Sequence, residues 1–71
     1  MNIANLKRAI DHSCQLKYGR HISVTFDQLE PESEHRAAVI FTISDRHGFI
    51  TRHYGHAGYE DNHLYLHTMT I

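Results

Sequence analysis

Eight of the 71 residues are histidine, and His47, His53, His56, His63 and His67 crowd the last third of the chain. Imidazole ligates transition metals and changes charge near neutrality, so this crowding suits either a metal site or a proton switch. As metal donors, His53-x-x-His56 and His63-x-x-x-His67 would offer ring nitrogens to zinc or another transition metal. Spacing limits that reading. On an extended strand, positions four apart share a side but lie about 13 Å from one another at ~3.3 Å per residue. Two metal–nitrogen bonds of about 2.1 Å cannot bridge that gap. His63 and His67 therefore cannot chelate one ion from a straight strand, which leaves His53, His56 and one of His63 or His67. Against this stands a row of sheet histidines with ordinary hydrogen bonds, since neither Cys-x-x-Cys nor His-Glu-x-x-His occurs. As a switch, protonation of all eight would carry the formal charge from −1 to +7. Association or stability would then change between about pH 5.5 and 7.5.

Other reactive side chains are poorly placed for catalysis. Asp11-His12-Ser13-Cys14 gathers acid, imidazole, hydroxyl and thiol, yet helix neighbours one or two apart do not face one another. Cys14 fits better as a small core residue. The glycines at 19, 48, 55 and 58 form no phosphate-cradling motif. No catalytic residues are expected, and the chain reads as a non-enzyme. Seven basic against eight acidic residues leave no surplus charge to grip a phosphate backbone. Tyr54, Tyr59, Tyr65 and Phe49 near Arg46 and Arg52 could stack single-stranded bases, but Glu60 and Asp61 share that segment. The same mixture of rings, guanidinium groups and imidazoles suits a protein interface. A protein partner is favoured, with His53, Tyr54, Tyr59, Tyr65 and His67 as its contact residues.

Those residues must be positioned by a few short elements. Ile3, Leu6, Ile10 and Cys14 recur at three- and four-residue steps, predicting a helix from about residue 3 to residue 18, with Asn2 as N-cap and Gly19 at its end. Ile22, Val24 and Phe26 then alternate with polar residues as a strand does. Leu29 to Glu34, with the only proline and three acids, predicts an exposed acidic loop. Residues 37–43 form the next strand, with Val39, Phe41 and Ile43 inward. Asp45-Arg46-His47-Gly48 suits a type I turn into a returning strand, Phe49 to Tyr54. Its register is open: either Phe49, Thr51 and His53 or Ile50, Arg52 and Tyr54 face the core. The glycines of residues 55–62 predict a loop, and His63 to Ile71 alternates as a final strand.

The expected fold is α+β: one N-terminal helix packed on a four-stranded antiparallel meander, a single small domain over residues 1–71. The element order is similar to that of cystatin-like folds, in which a meander wraps one helix, and no residue motif accompanies the likeness. A chain this short buries only about 60% of its unfolded surface, so a partner subunit or a metal is a natural support. One cysteine permits no internal disulfide and suits a reducing cytoplasm. The first residues lack a signal-peptide pattern, and no apolar run reaches the ~20 residues of a membrane span. His63 to Ile71 contains no Lys, Arg, Asp, Glu or Pro, the residues that keep a sheet edge from pairing. A homodimer through that edge is therefore expected. The leading expectation is a small cytoplasmic protein-binding module, an inhibitor or adaptor of the kind phages and mobile elements encode. A histidine metal site on His53, His56, His63 and His67 is the alternative, and single-stranded nucleic-acid binding the third.

Overall fold

The computed structural model describes residues 1–70, so the placement expected for Ile71 lies outside the described residues. The chain folds as α1 (Ile3–Tyr18), β1 (Ile22–Pro31), β2 (Arg36–Asp45), β3 (Ile50–Glu60) and β4 (His63–Thr70). The strands form one antiparallel sheet in the order β1-β2-β3-β4, the expected meander.

Helix α1 begins where the Asn2 side chain accepts the Asn5 N–H at 3.0 Å, satisfying a donor that the first turn leaves free. It ends with the Gly19 N–H donating to the Gln15 carbonyl at 2.9 Å. Its stripe of Leu6, Ile10 and Cys14 is buried against Ala37, Val39, Phe41 and Ile43 of β2 and Ala57 of β3. Leu6, Ile10, Val39 and Phe41 are the largest fully buried side chains. Each contributes about 1.5–3 kcal/mol relative to exposure. Leu64 and Leu66 of β4 and Ile22, Val24, Phe26 and Leu29 of β1 border this core.

Two expected loops are partly strand instead. β1 runs on through Leu29, Glu30 and Pro31, which pair with Val39, Ala38 and Ala37. Proline is tolerated there because β1 is an edge strand whose outward N–H needs no partner. The register shifts between Phe26 and Gln28, a bulge at Asp27 that keeps both Phe26 and Leu29 on the helix side. The connection shrinks to Glu32–His35, where the Glu32 and Ser33 N–H groups donate to the Arg36 carbonyl at 2.8 and 3.1 Å.

The second correction concerns residues 55–62. β3 continues without a break to Glu60, and its glycines mark close backbone approach. A Cβ on Gly55 would collide with the His67 carbonyl, and one on Gly58 with the His35 carbonyl. The turn itself is only Asp61-Asn62, with φ of 52° and 65°, the positive pair of a type I′ hairpin. At the β2–β3 turn, the Asp45 carboxylate accepts the His47 and Phe49 N–H groups, both at 2.9 Å. This turn and the pairing of Phe41 with His53 set the β3 register: Thr51 and His53 face the helix, and Ile50, Arg52 and Tyr54 face away. Phe49 precedes the strand and is exposed. Among the described residues, no helix is long and apolar enough to cross a membrane.

Candidate functional site

One helix covers one face of the sheet, so the two faces have different chemistry. On the covered face, the His53 ring stacks on Phe41 with centroids 5.1 Å apart and planes 8° from parallel. Its Nε2 lies 3.1 Å from the Thr51 hydroxyl, and the residue is only 7% exposed. Burial, and secondarily the nearby Lys17 charge, hold its pKa below the ordinary imidazole value. Cys14, Lys17, His53 and Thr68 line a recess of about 130 Å³ under the helix. A neighbouring recess between Tyr18, Phe49, Thr51 and His53 has about 220 Å³. Ligand pockets start at about 300 Å³. The Cys14 thiol is pushed above its usual pKa, first by burial and then by the Asp11 charge, with Lys17 opposing. A protonated thiol is a poor nucleophile, which matches the expectation of a core cysteine.

The uncovered face carries the accessible chemistry. The strand register lays out rows across it: Gln28, Ile40, Tyr54 and Met69 in one, Glu30, Ala38, His56 and His67 in the next, then Arg36, Gly58 and Tyr65. Tyr54 is 40% exposed, Ile50 64% and Met69 66%. The Tyr54 hydroxyl points to the Met69 sulfur at 3.9 Å. Tyr65 meets His67 edge to face with centroids 5.7 Å apart, and its hydroxyl lies beside Gly58. Charges on this face are matched locally. Asp27 accepts the Thr42 hydroxyl at 2.7 Å and lies 3.8 Å from the Arg52 guanidinium. Glu32 lies 3.3 Å from Arg36 and 3.1 Å from His56 Nε2.

Of the five residues expected to contact a partner, the structure brings together Tyr54, Tyr65 and His67. His53 lies on the opposite face, buried. Tyr59 also packs against the helix-side core, half-buried near the end of the sheet. Exposed Met69 and half-buried Ile40 and His56 share that face. Alternation within β2 and β4 already implied Ile40 opposite the core and Met69 on the side of Tyr65 and His67, and the cross-strand register adds His56. The metal set is also divided. His53 and His56 face opposite sides of β3, so they cannot share an ion, and His63 and His67 remain four positions apart on β4. The pair that does meet is His56 with His67, directly opposite in the β3–β4 ladder. Among the described residues, no group of three or more His, Cys, Asp or Glu is gathered for a metal.

The two sheet edges differ as sharply as the faces. β1 carries the bulge at Asp27, then Glu30 and Pro31, all features that discourage a further strand. β4, the opposite edge, has none of them between His63 and Thr70. A two-residue turn makes Glu60 and His63 a hydrogen-bonded pair, and alternation along the ladder then turns the backbone N–H and C=O of Leu64, Leu66 and Thr68 outward. Comparison with protein-family models, curated proteins and solved structures finds no match.

Proposed function

We propose that the chain is a non-enzymatic interaction module, an inhibitor or adaptor in type, which pairs with a second copy through β4 and meets a larger protein through the uncovered sheet face. The contrast between the edges carries this reading: β1 is defended by a bulge, acids and proline, and β4 presents unpaired backbone groups beside uncharged side chains. The uncovered face supports the second contact, since exposed Tyr54 and Met69 beside half-buried Ile40 and Tyr65 combine apolar area with tyrosine hydroxyls as interface centres do. The helix-side recesses beside Cys14 and His53 are too small for an ordinary ligand, and with a protonated thiol and a histidine bonded to a threonine this favours binding over catalysis. A single buried cysteine suits residence in the cytoplasm. Nucleic acid is the weaker partner, because Arg36 and Arg52 already face Glu32 and Asp27.

The test is sedimentation of the untagged protein beside Thr68→Pro, which removes an outward N–H and leaves the β3 ladder intact. The native chain should sediment as a dimer and the variant as a folded monomer. A monomeric native chain at about 100 μM, or an unaffected variant, rejects the edge contact. Capture of a partner from the native host should fail with Tyr54→Ala/Met69→Ser. Undiminished capture by that folded variant rejects the face.

A further inference from the structure

We propose that His56 and His67 form a binding site for a late first-row transition metal ion, with Glu32 holding His56 in the ligating tautomer. The two histidines are directly opposed on the uncovered face. Opposed residues of an antiparallel pair have Cβ atoms about 5 Å apart. Two imidazoles on such a base can converge to the ~3.3 Å nitrogen separation that bonds of about 2.1 Å to one tetrahedral ion require. The two pairings suggested by sequence spacing fail on geometry already given: His53 and His56 point to opposite faces, and His63 and His67 are too far apart along β4.

A second observation gives this pair its chemistry. His56 Nε2 lies 3.1 Å from Glu32 Oε1, and the same oxygen lies 3.3 Å from Arg36 Nε. A carboxylate accepting from Nε2–H leaves Nδ1 with the lone pair, the arrangement by which metal-binding histidines are commonly oriented. Arg36 contacts the same carboxylate oxygen. Glu32 is therefore a positioning residue and the ligands are His56 and His67. A hollow of about 490 Å³ lined by Tyr54, His56, His67 and Met69 leaves room for water in the remaining positions. Neutral imidazole selects zinc, nickel and copper over magnesium or calcium, and copper should bind most tightly. The site lies within one chain and does not depend on pairing through β4.

The experiment is calorimetric titration of untagged protein with Cu²⁺, Ni²⁺ and Zn²⁺, each alone. One saturable site per chain is expected, strongest for Cu²⁺. His56→Ala and His67→Ala should each weaken it at least tenfold. Glu32→Gln should weaken it about tenfold, as loss of an outer-shell partner does, and His12→Ala and His63→Ala should leave it unchanged. In the native protein, substoichiometric Cu²⁺ should broaden the ring NMR signals of His56 and His67 before those of His53. Absence of saturable binding, full binding in folded His67→Ala, or broadening that starts at other histidines overturns the assignment.

Discussion

His53 shows how far position overrides residue type. Histidine is ordinarily a surface or intermediate residue, yet here the ring lies between Phe41 and Tyr18, with centroids 5.1 and 6.3 Å away. The two candidate registers of β3 each place at least one large apolar or aromatic residue and one basic-type residue inward, so alternation alone could not separate them. The Asp45 turn and the Phe41–His53 pairing decide the matter, and both require the neighbouring strand. Because burial lowers the folded-state pKa of His53, the unfolded chain binds its proton more readily. The resulting stability is complete above the unfolded value of about 6.5 and is lost as pH falls through the lower folded value. Urea midpoints measured from pH 7.5 down to 5 should therefore decline. His53→Phe, which keeps a ring against Phe41, should decline less steeply, and equal slopes would remove His53 as the cause.

At the scale of elements, the helix and the alternating strands were legible because their apolar periods are regular. Ile3, Leu6, Ile10 and Cys14 trace the helix, and Val39, Phe41 and Ile43 the inward face of β2. The glycine segment was misleading because glycine serves two purposes. In a turn it supplies unusual φ, and inside β3 it yields space to a neighbouring carbonyl, information held by residues far away in sequence. The real turn, Asp61-Asn62, uses the two other residue types that tolerate positive φ. Gly58→Ala should accordingly cost about 1–3 kcal/mol in chemical denaturation, the usual penalty of forcing atoms into a filled space. The displaced group would be the His35 carbonyl, which accepts the Tyr59 N–H at 3.0 Å. A cost below about 0.5 kcal/mol, the scatter of ordinary surface changes, would show that the loop gives way freely. The Asp27 bulge was hidden for a similar reason: Phe26 and Leu29 are three apart, and only pairing with Phe41 and Val39 shows that both turn inward.

For the molecule as a whole, the architecture was readable and the make-up of the uncovered face only partly so. A helix and four strands of suitable length admit few arrangements, and a meander with the helix on one side is the simplest. Alternation within β2 already sets Ile40 opposite the core face, whereas the side taken by Tyr54 and His56 on β3 depends on register and is fixed only by the strand pairing. With one face uncovered and a single small core, stability should depend on association. If β4 joins two copies, Tm should rise by a few degrees for each tenfold increase in protein concentration, and Thr68→Pro should show a constant Tm. A native Tm independent of concentration would mean that the lone chain is self-sufficient. The inequality of the edges also sets how large such an assembly becomes. Strand β4 joined to its symmetry mate is consumed at the centre of an eight-stranded sheet, and both outer rims are then β1 with its kink, carboxylates and proline. Growth would then stop at two copies, so pairing through this edge would give a closed particle instead of a fibre.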